Sequence, residues 1–126
     1  MIKTTALKPK TAKKILIVED EGEIRLVLDM ILNEKKVEPE FVNSILAADE
    51  YLQNQEPSVI LLDNKLPDGF GVDMIRYIKK KYPSVKIIMI SAFGSARDIA
   101  LENGADAFFE KPFSLQELDE ALNQFL

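Results

Sequence analysis

The residues with the most chemistry to offer are an acid pair, Glu19-Asp20, a single aspartate, Asp63, a serine, Ser91, and a lysine, Lys111. Each closes or follows a wholly or largely apolar run: Ile15-Leu16-Ile17-Val18 before Glu19-Asp20-Glu21, Val59-Ile60-Leu61-Leu62 before Asp63, residues 85–90, apolar but for Lys86, before Ser91, and Ala107-Phe108-Phe109, then Glu110, before Lys111. Carboxylates brought close together repel one another, so they either raise each other's pKa or take up a cation. The chain has no His and no Cys. Its metal ligands would therefore be oxygens, which select a hard ion, Mg²⁺ or, failing that, Mn²⁺. Two carboxylates, a backbone carbonyl and several waters would fill the octahedron. A charged lysine cannot be a ligand, but it can hold an anion that the metal also holds, and a serine hydroxyl can donate to the same anion. This set suits a phosphoryl group with a carboxylate as nucleophile. The protein's part in such chemistry is positioning and charge neutralisation. The missing His and Cys exclude Ser-His catalysis, thiolate chemistry and a phosphohistidine on this chain.

For these ends to meet, the apolar runs must be strands of one parallel sheet. A continuous aliphatic run bounded by Pro57 and by Pro67-Asp68-Gly69 reads as a strand buried on both faces. Its carboxyl end lies on the edge where open α/β folds place ligands. Helical periodicity fills the intervals. Ile24, Val27, Leu28, Ile31 and Leu32 form one helix face, with Lys35 and Lys36 at the helix's C-terminal end. Glu38-Pro39 is expected to break that helix, and residues 40–43 form a weak strand candidate. A second helix is predicted over 44–53 through Ile45, Ala48, Tyr51 and Leu52. A third over 72–81 turns Val72, Ile75 and Ile78 inward, and Pro83 ends it. A short fourth over 95–102 stops at Asn103-Gly104. Ser114-Leu115-Gln116-Glu117 is a capping box opening a fifth, with Leu115, Leu118, Leu122 and Phe125 on one face. Phe108 and Phe109 should alternate, one of them inward, while Tyr51 and Tyr77 read as helix-face packing. The order is (βα)₅, hence an α/β fold: a five-stranded parallel sheet, doubly wound, with helices on both faces.

A chain of 126 residues can build one core without disulfides or metal staples. No apolar run approaches the roughly 20 residues of a membrane span, and the N-terminus lacks a signal-peptide core. No membrane contact and a cytoplasmic location are therefore the default expectations. The net charge of −5 is unevenly spread: residues 1–14 hold five Lys and no acid, and the remaining 21 acids and 11 bases leave the body at −10. An acidic body argues against direct nucleic-acid binding. Residues 1–13 read as a basic flexible leader, and 14–126 as the single domain.

In its motifs the chain resembles the receiver domain of bacterial two-component response regulators, the CheY-like, flavodoxin-like fold. The resemblance runs from about Lys14 to Leu126. It rests on Glu19-Asp20, Leu61-Leu62-Asp63, Leu66-Pro67-Asp68-Gly69, Ser91-Ala92, Gly104-Ala105-Asp106 and Lys111-Pro112-Phe113. It implies strand order 2-1-3-4-5. It implies that Asp63 is the phosphoacceptor, taking its phosphoryl group from a sensor histidine kinase or a histidine phosphotransfer protein. Asp20 and Asp63 would be direct Mg²⁺ ligands, with Glu19 acting through water and the backbone carbonyl of Lys65 as a further ligand. Ser91 is similar to the switch hydroxyl, Phe108 to the switch aromatic that turns inward with it, and Lys111 to the lysine that pairs with the phosphoryl group. The Lys111-Pro112 bond is expected to be cis, which X-Pro bonds alone adopt cheaply. A receiver of this kind is a phosphorelay module, not an enzyme with an external substrate; it catalyses only its own phosphoryl transfer and slow autodephosphorylation. Its switched surface is read by a downstream signalling protein, as a monomer or a weak phosphorylation-dependent dimer.

The chain departs from the pattern in three places. Glu19 stands where Asp is commoner, the segment from Ser91 to Gly104 is about two residues short, and Phe108 lacks a hydroxyl. The fourth helix, part of the usual output face, should be stunted. Lys65, two after Asp63, and Phe93, two after Ser91, should flank the phosphoryl group. A bulky apolar ring at Phe93 would keep out hydrolytic water and slow autodephosphorylation. Taken singly, Glu19-Asp20-Glu21 suits any helix N-terminus, Ser91 any turn, and Lys111 any surface; their joint placement argues otherwise. A pseudo-receiver that only docks or dimerises is the alternative. An aspartyl phosphatase of the haloacid-dehalogenase type would want a second Asp where Lys65 stands. The sequence closes with the fifth helix, as expected of either a stand-alone receiver or one cut from a larger regulator.

Overall fold

The computed structural model describes residues 13–20 and 22–126. Apart from Lys13, which opens the first strand, the leader expected over 1–13 lies outside the described residues. The main strands are β1 (Lys13–Val18), β2 (Val37–Val42), β3 (Val59–Asp63), β4 (Lys86–Ser91) and β5 (Ala107–Glu110). They form one sheet in the order β2-β1-β3-β4-β5, parallel throughout. The helices are α1 (Arg25–Lys35), α2 (Ile45–Asn54), α3 (Val72–Lys81), α4 (Arg97–Glu102) and α5 (Leu115–Phe125). The doubly wound (βα)₅ architecture expected from the sequence is the one observed, with the strand order that the resemblance implied. No helix of the described residues is long and apolar enough to cross a membrane.

Alternation along the strands divides the aliphatic residues between two cores. Leu16, Val18, Ile60, Leu62, Ile87 and Met89 pack with Ala48 and Leu52 of α2, Met74, Ile75 and Ile78 of α3, and Ala100 of α4. Ile15, Ile17, Val59, Leu61, Ile88 and Ile90 pack with Leu28 and Leu32 of α1 and with Leu118 and Leu122 of α5. Truncating any one of these fully buried Leu or Ile side chains to Ala costs about 2–5 kcal/mol. The ion pair Lys35–Asp119, at 2.6 Å, ties α1 to α5 on the second face. α5 opens on the expected capping box, Ser114 with Glu117. The chain leaves β1 for the edge strand β2 and returns to β3. α1 and α2 therefore lie on opposite faces, and a crevice opens between the carboxyl ends of β1 and β3.

The structure corrects the sequence reading in several places. Pro39 does not follow a helix into a loop; it lies inside β2, opposite Ile15. β2 is an edge strand with one unpaired row of backbone groups, the setting in which a strand tolerates a residue without an N–H. The helix ends instead at Lys35, capped by Lys36 in the left-handed region at φ 57. A single 3-10 turn, Gly22–Ile24, precedes α1. The loop after β3 holds a small antiparallel ribbon, Lys65–Leu66 against Gly69–Phe70. Tyr77 is exposed, its hydroxyl bonded to Asp49 at 3.1 Å rather than packed on the core. α4 has six residues after a 3-10 turn, Gly94–Ala96, and is as short as expected.

Candidate functional site

β3 carries Asp63 to the end of the sheet beside Ile90 of β4. The residue is 4% exposed, and a carboxylate removed from water to that degree needs a charged partner. Lys111 supplies it, with Nζ 3.1 Å from Asp63 Oδ2. The lysine is aimed by its own backbone: Lys111 N–H donates to the Ser91 carbonyl at 2.8 Å, joining the end of β5 to the end of β4. The Lys111-Pro112 bond is cis, as the resemblance implied. Ser91 is buried, and its Oγ accepts the Phe93 N–H at 3.0 Å. A hydroxyl that accepts in this way keeps its own proton to donate.

Asp20, Asp63, Lys65, Ser91, Phe93 and Lys111 line one cleft of about 540 Å³. Phe93 stands at its mouth, 62% exposed. Glu19 is not in this lining; it borders the adjoining depression, of about 430 Å³, which Asp20 shares. Phe108 is not in it either. It is buried in the core on the α2–α4 side, with the Arg97 guanidinium 6.0 Å from its ring centroid. Phe109 turns to the other face, 6.0 Å from Phe113. Among the described residues, no group of three or more His, Cys, Asp or Glu side chains is gathered for a metal. The cleft's carboxylates are those of Asp20 and Asp63, with Lys65 alongside. A donor set of few oxygens and no nitrogen or sulfur fits a hard cation that keeps several of its waters, as Mg²⁺ does.

Two residues to which the sequence assigned no role in the site, Asn64 and the turn residue Asp68, shape the loop after Asp63. Asn64 is buried and closes its base: its N–H donates to Ile90 O at 3.1 Å, and its Oδ1 accepts the Val72 N–H at 3.0 Å. The Asn64 carbonyl accepts Gly71 N–H at 2.6 Å. Asp68 accepts the N–H groups of Ile45 at 2.8 Å and Leu46 at 3.0 Å. Those two bonds, Ile45 first, hold its carboxyl below the usual aspartate range. A depressed carboxylate pKa adds stability that is fully present above the usual aspartate value and is lost as the pH falls from there through the lowered folded-state value. Asx chemistry in a Pro-Asp-Gly turn is legible, but a partner on another helix is not.

The response regulator receiver domain model matches residues 15–123 of this chain. Response regulator protein PilR of Pseudomonas aeruginosa is 36% identical over 110 residues, which cover 86% of this chain and 25% of PilR. Sporulation initiation phosphotransferase F of Bacillus subtilis is 29% identical over 116 residues, 90% of this chain and 94% of that protein. The crystal structure of response regulator protein TrrA from Thermotoga maritima, in complex with Mg²⁺-BeF, superposes with a TM-score of 0.80 at 30% identity. That match covers 90% of this chain and 99% of TrrA. The chain spans from a quarter to about half of the length of the first curated relatives it matches. Family model, relatives and fold agree, and the chain belongs to the response regulator receiver domain family.

Proposed function

We propose that Asp63 is a Mg²⁺-dependent phosphoacceptor, and that this receiver takes its phosphoryl group from a histidine kinase or a histidine phosphotransfer protein. The observation that carries the proposal is the contact of Lys111 Nζ with Asp63 Oδ2 inside the cleft that Asp20 and Ser91 also line. An Asp63 carboxylate oxygen attacks phosphorus. The P–N bond of the donor's phosphohistidine breaks, and its electron pair stays on the imidazole nitrogen. Lys111 exchanges its carboxylate partner for a phosphoryl oxygen, and the Ser91 hydroxyl donates to another. Asp20, Asp63 and the Lys65 carbonyl would hold the cation, and Glu19 would reach it through water; bound there, the cation supplies neutralising charge. Mg²⁺-BeF is bound by TrrA, which supports the same chemistry in this cleft. Ser91 and the inward Phe108 would then act as a switch, read by a downstream signalling protein on the face that includes α4. A cytoplasmic setting follows from the same reading, because that is where such phosphoryl donors present their histidines.

Titration with Mg²⁺ and beryllofluoride tests the site without covalent chemistry. Saturable amide shifts at Asp63, Ser91 and Lys111 are expected in NMR spectra of the wild type and none in Asp63→Asn. No binding, or binding indifferent to Asp63→Asn, would favour a module that only docks or dimerises.

Phe93 bears on how long the phosphoryl group lasts. Its exposed ring stands at the cleft mouth, where it would obstruct the approach of hydrolytic water. Phe93→Glu replaces that ring with a group that can orient water, so the aspartyl phosphate should decay several-fold faster than in the wild type. The rate of acid-labile phosphate release reads this directly. An equal or longer lifetime in the variant would remove Phe93 from the account of hydrolysis.

A further inference from the structure

The loop after Asp63 is tied at its tip to a helix that precedes it in the chain. The first three N–H groups of α2 all have side-chain acceptors. Ser44, the local cap, takes Ala47 N–H on its Oγ at 3.1 Å. The other two go to Asp68, Oδ1 to Ile45 and Oδ2 to Leu46, at 2.8 and 3.0 Å. Packing points the same way. A Cβ placed on Gly69 would lie 2.9 Å from Ile45 Cδ1, and Gly69 has a φ of +151°. The turn therefore rests directly on the first residue of α2.

At its base the same loop is closed by Asn64, through Ile90, Gly71 and Val72. Lys65 lies between these two anchorages, opposite Phe70 in the short ribbon. With base and tip both held, the backbone at Lys65 has little room to move relative to Asp63.

We infer that Asp68 is a positioning residue for the cation: by holding the loop tip on α2 it sets the Lys65 carbonyl against Asp63. The inference rests on the cleft being a Mg²⁺ site, as proposed above. Mg²⁺ demands near-ideal octahedral geometry at short distances, so a donor that drifts is felt strongly. Groups that orient metal ligands, without touching the metal, typically change affinity by about 10–100-fold when removed.

Titration of the protein with Mg²⁺ alone, followed by amide shifts and paired with urea unfolding, tests it. Asp68→Ala should weaken Mg²⁺ binding by roughly 10-fold or more. Asp68→Asn, which keeps one oxygen acceptor, should lose less. Ser44→Ala removes a cap from the same helix end without touching the loop; it should lower stability and leave Mg²⁺ affinity at the wild-type value. Unchanged affinity in Asp68→Ala would overturn the inference. An equal loss in Ser44→Ala would also overturn it, since the effect would then belong to α2 capping alone. If Asp68→Ala does not fold, Asp68→Asn decides, and wild-type affinity there overturns it. A wild type that does not bind Mg²⁺ would defeat the metal reading itself, so the two failures are told apart by the wild-type curve.

Discussion

Gly71→Ala should destabilise the protein and displace Asp63, although residue 71 lies outside the cleft lining. Gly71 has helical angles, φ −57° and ψ −33°, so alanine meets no backbone strain there. Gly71 is the N-cap of α3 rather than an interior helix residue, and at that position glycine ranks above alanine. Sterics oppose the substitution further. A Cβ at Gly71 would fall 2.2 Å from the Asp63 carbonyl oxygen and 3.0 Å from Leu62 Cγ. Neither is the far end of a mobile side chain. Gly71 is moreover held by its 2.6 Å bond to Asn64 O, so α3 cannot retreat without breaking the base of the loop. Overpacking of this kind costs about 1–3 kcal/mol and occasionally more, with no helix-propensity gain to offset it. A lower urea midpoint is expected, together with weaker uptake of beryllofluoride or phosphoryl groups. A variant as stable as the wild type would show that the close approach of α3 to the end of β3 can be relieved.

Much of this was legible because it rests on patterns that local chemistry enforces. The uninterrupted runs at Ile15–Val18 and Val59–Leu62 read as central parallel strands, and they are buried along that whole length. In a parallel sheet the ends of such strands must share an edge, which places Asp20, Asp63, Ser91 and Lys111 together on the strength of the strand pattern alone. What escaped was set by tertiary context. Pro39 breaks a helix in isolation, but the edge of a sheet offers it a strand. Asn64 and Asp68 look like ordinary turn residues, and only the docking of α2 and α3 gives them partners far along the chain. Tyr77 follows the helical repeat, yet its partner is Asp49 on α2 rather than the core. Glu19 precedes Asp20 directly, but adjacent residues at the end of a strand point different ways, and it borders the neighbouring depression.

The second large effect is expected at Asp63 itself. Asp63→Asn keeps the size of the side chain and an oxygen near Lys111, but the amide is uncharged and a poor nucleophile. The fold should survive the change. Lys111 loses a charged partner, yet its side chain is 30% exposed and can turn to water, so no ammonium is stranded in the core. Phosphoryl acceptance should not survive. With no His or Cys in the chain, no side chain of those types can take the group in place of Asp63. Intact-protein mass spectrometry after incubation with Mg²⁺ and acetyl phosphate measures this directly. The wild type should gain the mass of one acid-labile phosphoryl group, and folded Asp63→Asn should gain none. A wild type that stays unmodified, or a variant that gains the same labile mass, would contradict the assignment of Asp63 as the phosphoacceptor.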